Sequence, residues 1–134
     1  MNEEDLCLVI HPHVKTYKMT GRDPNSRLDE IVNLALAIDV VIVHAKIVNL
    51  SRTKPSTFFG KGKVKSVGDI ISSNNIGVAI IDITLSPIQQ RNLERAWNCK
   101  VIDRTGLILE IFGKRAKTRE GPHGFLPAYR KFPE

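Results

Sequence analysis

Residues 77–83, Gly-Val-Ala-Ile-Ile-Asp-Ile, are apolar on consecutive positions and do not alternate. A strand of that kind is buried on both faces, the situation of a strand in a parallel sheet with helices on its two sides. Three residues later Ser86, Pro87 and Gln89 fall at the N-cap, first and third positions of a helix, with Leu93, Ala96 and Trp97 expected on its inner face. The same strand-then-helix unit recurs along the chain. Residues 7–10 read as a first strand ending at His11-Pro12, and a helix capped by Ser26 with Asp29 carries Leu28, Ile31, Val32, Ala35 and Ile38 to about Asp39. Residues 40–50 are β-branched and read as a second strand, after which Gly60 and Gly62 bracket a turn into a helix with Val64, Val67, Ile70 and Ile71 inward. Residues 100–103 form a fourth strand. Thr105 is expected to cap a last helix, with Leu107, Ile108, Ile111, Phe112 and Ala116 inward and Gly121-Pro122 stopping it.

Four alternations predict an α/β fold, a small four-stranded parallel sheet with helices on both faces, the half-unit seen in Rossmann-like and flavodoxin-like architectures. The strand segments 7–10, 40–50, 78–83 and 100–103 are expected to be parallel neighbours, because helix-length connections separate them. The domain is expected over residues 1–121, with 122–134 an irregular tail holding Pro122, Pro127 and Pro133.

No apolar run approaches the roughly 20 residues of a membrane span. The first five residues are acidic where a secretion signal is basic, so a cytoplasmic protein is expected. Cys7 and Cys99 read as free thiols in or beside strands. The net charge of +6 is unevenly placed: residues 1–60 hold seven Lys/Arg against seven Asp/Glu, and residues 61–134 hold thirteen against seven. Such polarity points to a basic face and a polyanionic partner.

The motifs supply the rest. Leu85-Ser86-Pro87 with Gln90-Arg91-Asn92-Leu93-Glu94, then Val101-Ile102-Asp103-Arg104-Thr105-Gly106 through Phe112, lie in register with Phe59-Gly60-Lys61-Gly62-Lys63-Val64 upstream and Arg115-Ala116-Lys117-Thr118-Arg119-Glu120-Gly121 downstream. In order and spacing this set resembles the domain that precedes the GTPase domain in the HflX family of ribosome-associated GTPases. The resemblance runs from about Leu28 to Gly121. It implies action on the large ribosomal subunit, with GTP and magnesium used in a later domain. A separate GTPase domain is thus a candidate partner. Pro122–Pro127 cannot continue the long helix that the resemblance places next.

Gly60-Lys61-Gly62-Lys63 is not a nucleotide phosphate loop, which needs Gly, four residues, then Gly-Lys-Ser/Thr. No GTP hydrolysis by this chain and no cofactor of its own are therefore expected. The two glycines serve either a tight turn or contact with RNA phosphate. Asp82 and Asp103 end strands on the edge where open α/β sheets bind ligands, but a carboxylate pair there has no partner nucleophile, base or metal ligand, and capping or loop roles outweigh a catalytic one. His11 and His13 do not by themselves make a metal site. Arg91 and Arg95 stand one turn apart on a polar helix face, a repulsion of a few tenths of a kcal/mol that an anionic partner would relieve.

The expected function is that of a ribosomal-RNA-binding module using Lys61, Lys63, Arg91, Arg95, Arg104, Arg115, Lys117 and Arg119 to neutralise phosphate. The alternative is a small nucleotide-binding domain, with ATP held at the strand ends by Gly60, Gly62, Asp82, Asp103, Arg104 and Thr105; the family resemblance implies this possibility too.

Overall fold

The first strand runs further than its apolar run. In the computed structural model, which describes residues 5–15 and 23–123 (of 116–123 the backbone alone), β1 spans Leu6–Val14 and carries His11-Pro12-His13 within it. It is followed by α1 (Pro24–Ala35), β2 (Val41–Leu50), α2 (Lys61–Ser73), β3 (Val78–Ile81), α3 (Pro87–Trp97), β4 (Lys100–Asp103) and α4 (Arg104–His123). All three strand pairings are parallel, in the order β2-β1-β3-β4. The expected sheet is therefore the observed one. β2 pairs with all of β1, but β3 pairs with it only from Cys7↔Val78 to Ile10↔Ile81.

Pro12 is tolerated for a reason visible in this register. Ile10 O accepts from Asp82 N on the β3 side, and Lys15 N donates to Leu50 O on the β2 side. Alternate residues of a strand face opposite neighbours, so the nitrogen of Pro12 faces the β3 side, beyond the last residue of β3. The missing donor costs no ladder bond.

Helices cover both faces. On one, α2 and α3 close a core of Leu8, Ile10, Ala79, Ile81, Val67, Leu93, Trp97 and Phe59. On the other, α1 and α4 pack Ile31, Ala35, Leu107 and Ile111 against Val9, Ile80 and Ile102. Lys114 Nζ reaches Asp39 Oδ1 at 2.9 Å and holds that carboxyl below its ordinary pKa.

Several local readings change. The N-cap of α1 is Asp23, whose side chain accepts from Ser26 N at 2.8 Å with Pro24 in the first turn, so Ser26 is inside the helix. The N-cap function at α4 falls to Asp103, not Thr105, since Asp103 Oδ1 accepts from Gly106 N at 2.8 Å. α3 starts as expected, with the reciprocal Ser86–Gln89 capping box formed. Its Ala96 is exposed, and among the described side chains α4 buries only Leu107 and Ile111, leaving Ile108 partly exposed and Leu109 and Phe112 well exposed, while the side chain of Ala116 lies outside the described residues. Two residues one turn apart make a narrow stripe, and α4 at the sheet's end has little sheet to cover. α4 continues two residues past Gly121, to His123. Gly60 has φ −69°, open to any residue, and a Cβ at Gly60 or Gly62 would meet nothing within 4 Å. Neither glycine makes the turn. The left-handed residue in that loop is Phe58, with φ 68°, held by burial and by the mutual Lys54–Phe58 backbone bonds.

Both cysteines are free. Burial, with Cys99 and Asp5 nearby, pushes the Cys7 thiol from 9.0 to about 12, and burial with Glu94 pushes Cys99 to about 11. At pH 8 a thiol reagent should leave Cys7 unlabelled in the folded protein and modify Cys99 first. Above the ordinary value of 9.0 the unfolded thiols ionise while the folded ones stay protonated. Stability contributed by the neutral thiols is thus complete below pH 9 and falls toward pH 12, which chemical denaturation across that range will show. Ready labelling of Cys7 at pH 8 without unfolding would contradict this. Among the described residues no helix is long and apolar enough to cross a membrane.

Candidate ligand crevice and cationic surface

The strand order reverses between β1 and β3: the chain leaves β1 for β2 on one side and returns to β3 on the other. At such a switch point the connections diverge at the carboxyl ends of the strands and leave a crevice between them. Here it is a pocket of about 420 Å³ walled by residues 11–14 of β1 and by Asp82, Ile83 and Thr84 after β3, with Arg27 of α1 and Arg104 of α4 at its sides. β3 ends at Ile81, two residues before the end of the expected segment, so Asp82 and Ile83 belong to the wall and not to the sheet.

Asp82 sits at the centre of the polar contacts. Its side chain is 1% exposed; Oδ2 lies 2.8 Å from His11 Nδ1 and Oδ1 accepts from Arg104 Nη1 at 2.9 Å. Burial of a carboxylate is tolerated when cations and donors surround it. His11 is itself buried, so the contact orients its ring. Thr84, which also lines the crevice, meets Thr105 through their hydroxyls at 3.1 Å.

Asp103, the other candidate carboxylate, does different work. Oδ1 caps α4, and Oδ2 accepts from Leu85 N at 2.9 Å. With both oxygens engaged by backbone, no Asp82–Asp103 catalytic pair is assembled in the pocket. Gly60 and Gly62 lie at the start of α2 and do not line the pocket. Of the six residues expected at a nucleotide site, the crevice therefore takes Asp82 and Arg104 into its lining and has Thr105 at its margin. Arg27, His11 and His13 belong to it as well. Their only sequence signal was position: two follow a parallel strand's apolar run, and one opens the next helix.

The eight cations expected to meet RNA do not share one surface. Lys61 and Lys63 are exposed on α2, and Arg91 and Arg95 on α3, two helices packed together on one face of the sheet. Arg104 belongs to the crevice, and Arg115 is exposed on α4, which covers the opposite face. The side chains of Lys117 and Arg119 lie outside the described residues. The α2/α3 layer is the more strongly charged. Between residues 51 and 99 there are seven Lys/Arg and three Asp/Glu. Asp69 is within 3.5 Å of Lys65, Glu94 accepts from Val101 N, and Asp82 is turned into the crevice. Gln89 and Asn92 of α3 donate to the carbonyls of Lys54 and Ser56, which fixes the loop carrying Arg52 and Lys54 against the same layer.

The comparisons with known proteins agree with this architecture. A family model described as GTP-binding GTPase N-terminal matches residues 25–113. The GTPase HflX of Magnetococcus marinus is 46% identical over 101 residues, 75% of this chain and 23% of that protein. The GTPase HflX of Escherichia coli is 49% identical over 67 residues, 50% of this chain and 16% of that protein. The chain thus spans less than a quarter of the length of these relatives. A GTP-binding protein from the archaeon Sulfolobus solfataricus, solved in complex with GDP, is 19% identical, with a TM-score of 0.53 over 78% of this chain and 30% of that one, a likeness of fold. With its motifs in register, its sheet formed in the expected way and most of its length matched, the chain belongs to the family of N-terminal domains of HflX-type GTP-binding GTPases.

Proposed function

We propose that this domain is a ribosomal-RNA-binding module of an HflX-type GTP-binding protein in the cytoplasm, docking on the large ribosomal subunit through the α2/α3 layer. The observation that supports it is the cationic excess of that layer, where the neighbouring acids are already engaged by Lys65, by backbone or by the crevice. Lys61, Lys63, Arg91 and Arg95 would neutralise backbone phosphates, a role that carries little sequence preference. GTP chemistry is assigned to another domain. What supports this is the start of α2, where Lys61 is followed by Gly62 and Lys63 by Val64, which packs on the core, so no hydroxyl follows either lysine to hold magnesium.

The test is binding to large-subunit RNA as a function of salt. Affinity should fall with a log–log slope of roughly 0.7–0.9 per neutralised phosphate, and changing Lys61, Lys63, Arg91 and Arg95 to Glu should abolish binding with little change in melting temperature. Reversing Arg115, Lys117 and Arg119 should weaken it less. Undiminished, salt-insensitive binding by the fourfold variant would overturn the reading.

A second reading is favoured by the crevice itself: a small ligand such as ATP held at the strand ends, where open α/β sheets bind theirs.

A further inference from the structure

We infer that the crevice between the carboxyl ends of β1 and β3 is a binding site for a compact phosphate group, inorganic phosphate or a phosphomonoester end, gripped by Arg27 and Arg104. The inference rests on the second reading above and names the chemistry that such a site would take.

Charge decides the sign of the ligand. Among the described residues, the lining carries two guanidinium groups and two imidazoles against one carboxylate. That carboxylate, Asp82, is bonded on one oxygen by Arg104 and on the other by His11. Arg104 therefore offsets Asp82, and the charge of Arg27 has no acid among the lining residues to meet it. The Nε of Arg27 is buried and has no hydrogen-bond partner among the described residues. A buried donor of a charged group left unpaired is costly, and native structures rarely keep one without a reason. Arg27 lines the crevice, so an oxyanion there meets its guanidinium charge, and a small turn of the side chain gives Nε its acceptor.

Arg104 is prepared for the same task. Its bond to Asp82 uses one of five donors and tethers the guanidinium at one end, while the side chain remains 34% exposed. A planar fork held in place beside a second guanidinium suits the tetrahedral oxygens of phosphate, which Arg recognises in pairs of hydrogen bonds. Of the mutually bonded Thr84 and Thr105 hydroxyls, one keeps its hydrogen free to donate nearby. Among the described residues, the lining includes no Phe, Tyr or Trp on which a base would stack. The contacts that the described lining offers are therefore to the phosphate. The phosphate could be a free small molecule or the 5′ end of an RNA, and the recognising chemistry is common to both.

Nuclear magnetic resonance of the whole 134-residue chain, observing the arginine Nε–H and histidine ring signals, tests this with inorganic phosphate, ATP, and a short oligonucleotide with or without a 5′-phosphate. Phosphate is expected to shift the signals of Arg27, Arg104 and His11 saturably. Arg27→Gln and Arg104→Gln should each weaken it by about tenfold or more, as expected for a lost charge-assisted hydrogen bond, and Arg27→Lys should recover part of the loss. If Arg104→Gln disturbs the fold by freeing Asp82, the wild-type titration and Arg27→Gln still decide. Preference for the 5′-phosphorylated oligonucleotide over free phosphate would identify an RNA end as the source, and equal or tighter binding of free phosphate a small molecule. ATP that saturates the crevice signals where phosphate does not would overturn the phosphate assignment and leave the strand-end reading standing. Silence of the crevice signals toward every ligand would overturn both.

Discussion

Replacing Trp97 by Ala should destabilise the domain by about 3–5 kcal/mol, a large part of the 5–15 kcal/mol typical of a folded domain. The indole is 4% exposed, and its Nε1 donates to Val64 O at 2.9 Å. Its ring lies 6.1 Å from that of Phe59, and a Cβ on Gly68 would come within 3.3 Å of it. One side chain therefore joins α3 to α2 and to the loop before α2. The cavity left by its removal is lined by parts of three segments and cannot close by the shift of any one. Trp97→Phe should cost less, because the ring contact persists and one hydrogen bond, worth about 1 kcal/mol, is lost. Urea denaturation of the two variants will check the order, and a loss below about 1 kcal/mol for Trp97→Ala would show that the layer is held otherwise.

The second large effect is expected at Asp103. Its carboxylate accepts from Gly106 N and Leu85 N, the first turn of α4 and the residue before the α3 cap, and both it and Leu85 are buried. Asp103→Ala leaves two backbone donors without partners. A lost cap costs about 0.5–2 kcal/mol and a buried unsatisfied group about 1–3 kcal/mol, so a total near 3 kcal/mol is expected. Asp103→Asn retains one acceptor oxygen and should lose about half of that. A substitution to Ala that leaves thermal stability unchanged but removes ligand binding would instead give Asp103 a direct role at the crevice.

Element type and pairing were legible because they depend on patterns repeated over many residues. The unbroken apolar run at 78–81 and the Ser86-Pro87-Gln89 start are local signals that tertiary context reinforced. Sequence pattern points to Ser26 and Thr105 where Asp23 and Asp103 are the caps, because each region offers more than one polar residue, and only the backbone path decides which side chain meets an N–H. Helical spacing overstates the burial of α4, since it shows that a stripe exists, not how much sheet lies beneath it. Asp82 and Arg104 were legible as strand-end residues, whereas Arg27, separated from Asp82 by more than fifty residues, enters the crevice only through the strand order. That order is a long-range property that no local pattern encodes.

Pro12 bears on how the sheet stops closing. A parallel pair zips residue by residue as long as each strand offers donors and acceptors to the other, and past Ile10 and Ile81 the next donor on the β1 side would be the nitrogen of Pro12. The zip therefore halts at a fixed tooth. The two chains fork there, β1 staying with β2 and the other turning away at Asp82, and the mouth of the fork is the crevice. A ring nitrogen without hydrogen at that position keeps the ladder between β1 and the chain after β3 from extending into the crevice.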